Sequence, residues 1–296
     1  MMEISNLISS DSLLEIKQLE IRSRRAIDAD LMGQYRSSFR GSGLLFSDLR
    51  NYEPGDDIKH IHWKATARTG RPYIKTYQEE RQLRIILALD ISASTNWGAP
   101  RSKQKKAREF AALISMLAQK NQDSLGLCLF GGEVTKYLPP STKRSQFRRV
   151  LEELLTEHSL VKSTNIAAAL SFMKERLPRS CVIFLVSDFL STPFETELSI
   201  LSSRNDVVGV LLSEDQETEI PKAGLIEFED AESNERIIID TSSAKVRESL
   251  SNKIKDQKNN LQQTFNRSRA DFIELRSSTI RPLIDLMNRR ARRFSQ

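Results

Sequence analysis

The sequence predicts an α/β fold of the doubly wound type, an open and mostly parallel sheet with helices on both faces. Two observations predict it. Short apolar runs of strand length recur along the chain, as in RIILALD (84–90), CVIFLVSD (181–188) and DVVGVLL (206–212), and such runs are typical of strands buried on both faces of a sheet. Amphipathic helical segments separate most of these runs, as the crossover connections of a parallel sheet require.

The segments between these strands follow in a regular order. Residues 101–120 place apolar side chains at helical spacing, which predicts an amphipathic helix. The runs at 125–130 and 134–138 are predicted to be two strands joined by a Gly131-Gly132 hairpin turn. The other predicted elements are helices at 144–157, from Ile166 to Leu177 and from near Pro193, strands near 225–229, 236–240 and 272–276, a helix containing Val246 and Phe265, and a basic terminal helix.

The N-terminal part of the chain has a different texture. Roughly the first 30 residues are predicted to be helical, whereas residues 33–80 hold five of the 11 glycines and mix aromatic with charged side chains, which favours turns and short strands. We therefore predict that residues 1–81 form an N-terminal helix plus a small β-rich appendage. Residues 82–296 are predicted to form the main domain with a C-terminal helical extension.

Composition narrows the class of protein. Of 296 residues, 39% are hydrophobic and 28% charged, which allows a packed core and excludes a disordered or low-complexity chain. No apolar stretch approaches the roughly 20 residues that cross a bilayer, and acids stand where a signal peptide carries bases. We therefore expect a soluble, cytoplasmic protein. Cys128 and Cys181 lie in apolar strand-like runs and are expected in the core.

The characteristic motifs of several enzyme classes are missing from this sequence. The chain contains neither GxxxxGK[ST] nor GxGxxG, so no phosphate-binding loop or dinucleotide turn is predicted. GxSxG and HExxH are also missing. His60 and His62 flank Ile61 in a strand-like stretch, but two imidazoles alone do not make a metal site, and we expect surface or packing roles for them.

The most informative cluster follows the first buried strand. Asp90, Ser92 and Ser94 alternate where that strand ends, so their oxygens can face a common point. Thr164, just before a helix, and Asp188, at the end of a later strand, are expected at the same edge of the sheet, because ligands of open α/β sheets bind beyond the carboxyl ends of the strands. Carboxylate and hydroxyl oxygens suit a hard cation, which predicts a Mg²⁺ site.

Two other interpretations of this cluster remain open. Asp and Ser are common in turns and helix caps, so the DxSxS fragment alone does not require a metal. The cluster could also serve a metal-dependent phosphoester hydrolase, with Asp90 as nucleophile and Asp188 as metal ligand. Such an enzyme needs an acid–base carboxylate two residues after the nucleophile, and this chain has Ser92 there.

The five positions together resemble a known kind of site. Asp90, Ser92, Ser94, Thr164 and Asp188 match the metal-ion-dependent adhesion site (MIDAS) of von Willebrand factor A domains. The resemblance implies that the serines and the threonine contact a Mg²⁺ or Mn²⁺ ion, that the aspartates act largely through water, and that an open position accepts a carboxylate from a partner. Mostly neutral ligands leave the charge of the cation uncancelled, which favours an incoming Glu or Asp.

A second, narrower resemblance lies in the N-terminal part. YRSSFRGSG (35–43), FSDLRNYEPGDD (46–57) and IHWKATAR (61–68) are similar to the signature of the bacterial domain-of-unknown-function family fifty-eight. Its members pair this segment with an A-type domain and are typically encoded beside MoxR-type AAA+ ATPases. The resemblance therefore implies such an ATPase as the partner. The segment itself is either an appendage tied to the A-type domain by its charges or a docking surface.

These observations lead to one main hypothesis and two alternatives. We expect a non-enzymatic, metal-dependent adaptor that captures a carboxylate of a client protein and works with a MoxR-type AAA+ ATPase in chaperone-like assembly or maturation. The alternatives are the phosphoester hydrolase and a basic nucleic-acid-binding scaffold, which the net charge of +6 and the pI near 9.3 suggest. Acids are interleaved with the bases, so nucleic acid is not expected. The terminal arginines, Arg289, Arg290, Arg292 and Arg293, are expected to form a solvated basic tail, and contact with nucleic acid or with an anionic membrane is the alternative.

Overall fold

The computed structural model describes residues 29–39, 45–57, 59, 61–78, 82–92, 103–156, 164–214, 222–229, 236–276 and 278–294. The chain forms two compact units. The main unit contains the residues up to Phe39 and those from Arg84 onward, and the smaller unit is Arg40–Leu83. The helix predicted for the first 30 residues falls almost entirely outside the described residues.

The described residues form eight helices and ten strands, and those from position 84 onward lie close to their predicted bounds. The helices are α1 (Ala29–Ser38), α2 (Trp63–Thr69), α3 (Lys103–Lys120), α4 (Arg144–Leu155), α5 (Ile166–Arg176), α6 (Glu195–Ser202), α7 (Ala244–Arg267) and α8 (Ile280–Phe294). The strands are β1 (Leu45–Asn51), β2 (Tyr73–Gln78), β3 (Arg84–Asp90), β4 (Ser124–Phe130), β5 (Val134–Ser141), β6 (Cys181–Ser187), β7 (Asp206–Leu212), β8 (Leu225–Glu229), β9 (Arg236–Asp240) and β10 (Asp271–Leu275).

The main unit is built on a six-stranded sheet with the order β10-β7-β6-β3-β4-β5. Neighbouring strands pair in parallel except for β4 and β5, which form the predicted antiparallel hairpin through Gly131 and Gly132. Strands β8 and β9 form a separate antiparallel pair. The expected α/β architecture with a mostly parallel central sheet is thus confirmed.

Helices cover both faces of this sheet because alternate residues of a strand point to opposite sides. On one face, Phe184 of β6 packs edge-on against Phe110 of α3 and against Phe39, with ring centroids 5.6 and 5.7 Å apart. On the other face, its neighbours Ile183 and Leu185 belong to a buried cluster that includes side chains from α5, α6 and α7. The sheet is therefore the middle layer of three, which explains its continuous apolar strands.

The two cysteines are core residues, as predicted. Cys128 of β4 and Cys181 of β6 are fully buried and carry free thiols. Burial raises the pKa of the Cys128 thiol to about 12 and that of the Cys181 thiol to about 11. Neither sulfur is a thiolate at neutral pH, so neither is a candidate nucleophile.

Helix α1 belongs to the main unit. The sequence had assigned this helix to the N-terminal part, residues 1–81, so the observed boundary between the two units differs from the predicted one. The Tyr35 hydroxyl donates a hydrogen bond of 2.8 Å to the carboxylate of Asp123, and the Ser38 hydroxyl donates one of 2.8 Å to the carbonyl of Met287 in α8. These contacts join α1 to parts of the chain that are distant in sequence. The smaller unit consequently begins only at Arg40.

The smaller unit contains the antiparallel pair β1–β2 and the short helix α2. The guanidinium of Arg50 donates two hydrogen bonds to the carboxylate of Asp56, at 2.8 and 2.6 Å, and the amide of Glu53 donates a third. Asp56 therefore organises the turn within this unit. Trp63 is 67% exposed, so it contributes little to the packing of the segment.

His62 caps the start of helix α2 instead of continuing a strand. Its Nδ1 accepts a hydrogen bond of 3.0 Å from the amide of Ala65 and caps the helix. The prediction of a strand was therefore wrong at this residue, because a capping side chain outweighed the weak alternation of the sequence. His60 lies outside the described residues.

The strand order creates a crevice between β3 and β6. From β3 the chain continues to β4 on one side, and from β6 it continues to β7 on the other side. Ligands of open α/β sheets bind at such a switch point, beyond the carboxyl ends of the strands. The register aligns Leu89 with Val186, so the next residues, Asp90 and Ser187, are also neighbours.

Candidate metal centre

Two aspartates meet at the switch point. Asp90 is the last residue of β3 and Asp188 directly follows β6, and the two residues are only 3% and 6% exposed. Each carboxylate was brought here by its position at the end of a buried strand. Two neighbouring buried carboxylates are costly unless hydrogen bonds or cations compensate their charge.

Neutral donors hold both oxygens of Asp90. Oδ1 accepts a hydrogen bond of 2.9 Å from the backbone amide of Ser92, and Oδ2 accepts one of 2.5 Å from the hydroxyl of Ser187. The Ser187 oxygen in turn accepts a hydrogen bond of 2.9 Å from the amide of Phe189. These bonds fix the orientation of the Asp90 carboxylate without adding a positive charge.

The electrostatics of the crevice disfavour a second negative charge. Burial raises the pKa of Asp90 to about 6, and the nearby charge of Asp188 adds to the rise. The hydrogen bonds from Ser187 and Ser92 act in the opposite direction, because they favour the ionised form. The effect of burial on the pKa outweighs that of the hydrogen bonds. A cation bound at this position would therefore stabilise the ionised carboxylate of Asp90.

The turn after β6 shapes the surroundings of Asp188. Its Oδ1 accepts a hydrogen bond of 3.2 Å from the amide of Leu190, and its Oδ2 lies 3.4 Å from the Nζ of Lys103. Phe189, between them, has a φ of 57°, in the left-handed region that a bulky residue rarely adopts. Its ring packs against Phe265 at a centroid distance of 5.2 Å, and this packing holds the turn in place.

Thr164 lies at the same edge, where it precedes α5 and is 6% exposed. Its carbonyl accepts a hydrogen bond of 3.2 Å from the hydroxyl of Ser191, whose oxygen accepts one of 3.3 Å from the amide of Ile166. The amide of Asn165 donates to the carbonyl of Gly131, after β4, at 2.8 Å. The Thr164 segment is thus tied to the turns that follow both β6 and β4.

The structure describes four of the five residues predicted to form the site. Asp90, Ser92, Thr164 and Asp188 are all buried at the carboxyl ends of the strands and the turns beyond them. Ser94 lies outside the described residues.

Sequence reasoning missed two side chains of this cluster. Ser187 was overlooked because it matters only through its register with Asp90, which a single sequence does not reveal. Lys103 was placed on a helix, but helical periodicity did not indicate that its ammonium would be buried. A lysine at the start of the helix that follows the DxSxS segment was the one available signal.

The donor set fits a hard divalent cation. Asp90 and Asp188 supply two negative charges, and Ser92 and Thr164 supply hydroxyl oxygens, the ligand types that Mg²⁺ prefers. Among the described residues, no three His, Cys, Asp or Glu side chains form a group that could hold a metal ion. A cation here would therefore depend on the hydroxyls and on water as well as on the two carboxylates.

Most of this chain is similar in sequence to a described protein family and to proteins of two mycobacteria. A family model described as "Protein of unknown function DUF58" matches residues 48–260. Uncharacterized proteins of Mycobacterium tuberculosis and Mycobacterium bovis are each 27% identical over 222 residues, which cover 74% of this chain and 70% of each relative.

Several bacterial proteins and one mussel protein of known structure are similar to parts of this chain. An aerotolerance-related membrane protein from Bacteroides fragilis is 19% identical, with a TM-score of 0.45, over 71% of this chain and 99% of that one. BatB from Bacteroides thetaiotaomicron is 15% identical, with a TM-score of 0.39 and the same coverage. Proximal thread matrix protein 1 from the mussel byssus, with a zinc-occupied MIDAS motif, is 16% identical, with a TM-score of 0.33, over 44% of this chain and 38% of that one.

No helix within the described ranges is both long and apolar enough to cross a membrane. The family match spans β3, the crevice and the strands on either side of it, together with most of the smaller unit. Because this family model matches more than half of the chain, the chain belongs to the DUF58 family of proteins of unknown function.

Proposed function

We propose that this protein is a non-enzymatic adaptor that binds a carboxylate of a partner protein through a divalent cation, Mg²⁺ or Mn²⁺. The cation would lie in the crevice between β3 and β6, in a von Willebrand factor A-type site. Its oxygen donors would be the two aspartates, the two serines and the threonine, namely Asp90, Ser92, Ser94, Thr164 and Asp188.

One observation carries this proposal: two carboxylates, Asp90 and Asp188, are buried beside each other where an α/β sheet binds its ligands. Burying two like charges side by side is unfavourable, and a divalent cation would compensate both. Because Mg²⁺ takes about six oxygen ligands and the protein offers at most five at this place, such a cation would keep an open position for a further carboxylate. A glutamate or aspartate of another protein is the group that this chemistry would select.

The proposed partner is a MoxR-type AAA+ ATPase, with a client protein as the source of the carboxylate. The similarity to the family signature supports this partner. The sequence contains no phosphate-binding loop motif, which fits an energy source outside this chain. We propose that the pair acts in the cytoplasm in chaperone-like assembly or maturation of the client. Of the terminal arginines, the exposed Arg289, Arg292 and Arg293 would be available for contact with an anionic membrane surface, whereas Arg290 is buried.

Calorimetric titration with MgCl₂ or MnCl₂, combined with a pull-down of a MoxR-type ATPase and its clients from the native cell, tests the proposal. Asp90→Ala should weaken ion binding by about tenfold or more, and should lose the captured client as EDTA does. Asp256→Ala, which alters an exposed aspartate of α7, is the matched control and should behave like the wild type. Client capture that persists in EDTA and in Asp90→Ala would contradict the adaptor.

The two alternative functions have separate outcomes in the same preparation. Turnover of para-nitrophenyl phosphate with Mg²⁺ that disappears in Asp90→Asn would replace the adaptor by the hydrolase. Both oxygens of Asp90 already accept hydrogen bonds, and the residue is 3% exposed, which does not favour nucleophilic attack by this carboxylate. Retention on DNA that falls steeply with salt would instead support the nucleic-acid scaffold.

A further inference from the structure

A lysine ammonium is buried at the candidate metal centre. Lys103, the first residue of α3, is 4% exposed, and its Nζ lies 3.4 Å from Oδ2 of Asp188. Lysine is almost never buried to this extent unless it is paired. Lys106, three residues further along the helix, also reaches this edge, where its Nζ donates a hydrogen bond of 2.6 Å to the carbonyl of Ser213. Helix α3 thus begins over the carboxyl ends of the strands and directs its first lysine into the crevice.

The contact between Lys103 and Asp188 is a long one. Charge-assisted hydrogen bonds usually measure about 2.7–2.9 Å, and the same chain reaches 2.6 Å between Arg290 and Asp206. The side chains of Lys103 and Asp188 are nevertheless only 5% and 2% exposed, so little water screens their charges. The ammonium is therefore strongly attracted to Asp188 through a contact that is longer than a usual charge-assisted hydrogen bond.

The charges in the crevice do not favour an ammonium and a divalent ion together. Asp90 and Asp188 carry two negative charges, which a divalent ion would cancel alone and which Lys103 cancels only by half. Two cations beside one carboxylate repel each other, and the repulsion is strong where water is excluded.

We propose that Lys103 competes with the divalent cation for Asp188, an inference that rests on the proposed metal site. In the absence of the ion, the Lys103 ammonium occupies the position beside Asp188, and it leaves this position when the ion binds. Lys103 thereby lowers the affinity for the ion and sets the concentration at which the site fills.

Three variants of α3 test this competition. Lys103→Met removes the charge and keeps a side chain of similar length, Lys103→Arg keeps the charge, and Lys105→Met is the matched control at an exposed position of the same helix. In calorimetric titrations with MgCl₂ alone, Lys103→Met should bind about tenfold more tightly than the wild type, within the usual range of coupling between two sites. Lys103→Arg and Lys105→Met should stay within about threefold of the wild type.

A second measurement uses the unaltered protein and does not depend on how the variants fold. Acetylation by N-hydroxysuccinimide acetate, read by mass spectrometry, reports the exposure of each lysine. In EDTA, Lys103 should be protected, because it is 4% exposed. Saturating MgCl₂ should increase its labelling rate about threefold or more, since displacement from Asp188 exposes the ammonium. The labelling of Lys105 should stay unchanged.

The outcomes separate this inference from the proposed function. If Lys103→Met binds Mg²⁺ no more tightly than the wild type and the labelling of Lys103 does not change, the competition is wrong, although the metal site stands. If neither the wild type nor Lys103→Met binds Mg²⁺ or Mn²⁺, the proposed function fails and the inference fails with it.

Discussion

The two ends of the central sheet each carry a pair of aspartates, but the two pairs differ in what compensates their charge. At the amino end, Asp206 of β7 and Asp271 of β10 both bind the guanidinium of Arg290, with hydrogen bonds of 2.6 to 2.7 Å. Arg290 is 5% exposed and also lies 4.7 Å from the centroid of the Phe39 ring. Burial would lower the pKa of Arg290, but the two aspartates outweigh it and raise the pKa above its usual value.

At the carboxyl end, no such shared clamp is formed by the described residues around the aspartates. Asp90 accepts hydrogen bonds from the neutral groups of Ser92 and Ser187, and Asp188 lies 3.4 Å from Lys103. The pair at the amino end is therefore a permanent structural link between strands and helix. The pair at the carboxyl end retains negative charge that a further cation could compensate, and the two ends should respond to mutation in opposite ways.

The largest expected effect is at the amino end. Arg290→Met removes the buried guanidinium that Asp206 and Asp271 share and leaves Asp271 only its contact with the exposed Arg293, so we expect the free energy of unfolding to fall by about 3 kcal/mol. Urea denaturation with and without MgCl₂ measures this loss, which should be the same under both conditions. Arg293→Met is the control, because that side chain is 68% exposed and should contribute less than about 0.5 kcal/mol. A Mg²⁺-dependent loss would remove the distinction between the two ends.

The next largest effect is at Asp90, and its sign is opposite. Burial raises the folded-state pKa of this carboxyl from 3.8 to about 6. Between these values the folded state binds a proton that the unfolded state releases, so rising pH lowers the stability of the metal-free protein. At neutral pH the ionised carboxylate costs about 2 to 3 kcal/mol, since one pKa unit corresponds to about 1.4 kcal/mol.

Replacing this carboxylate by its neutral amide should therefore stabilise the metal-free protein. In EDTA at pH 7.5, Asp90→Asn should gain about 2 kcal/mol in the free energy of unfolding, and its stability should no longer fall between about pH 4 and pH 6. MgCl₂ should stabilise the wild type and leave Asp90→Asn unchanged. The matched control is Asp256→Asn, at an exposed position. A net loss of stability in EDTA would mean that Asp90 is a structural residue like those at the amino end.

The same contrast shows what the sequence could predict. Strands β3, β6 and β7 were recognisable because burial on both faces demands continuous apolar runs. The approach of Asp90 to Asp188 followed from their positions at strand ends and from the rule for the carboxyl edge of parallel sheets. The patterns that could be read from the sequence were therefore those that a single strand or helix imposes on its own residues.

The features that escaped prediction depend on contacts between distant parts of the chain. The Tyr35–Asp123 hydrogen bond that helps place α1 in the main unit joins residues 88 positions apart. The role of Ser187 depends on the register of β3 against β6, and the burial of Lys103 depends on where α3 begins relative to the sheet. Local periodicity contains no information on register or on the packing of one element against another.

The smallest expected effect concerns Ser187, which connects Asp90 to the turn after β6. Ser187→Ala removes the donor to Asp90 and the acceptor of the Phe189 amide, so we expect a loss of about 1 to 2 kcal/mol. The pKa of Asp90 should rise further, because a hydrogen bond to its ionised form is lost, and the pH window of decreasing stability should extend upward. Thermal unfolding in EDTA across this pH range measures both changes, with Ser203→Ala at an exposed position as the control. In an Asp90→Asn background, Ser187→Ala should no longer alter the pH profile, and an equal shift there would show that Ser187 acts through a group other than Asp90.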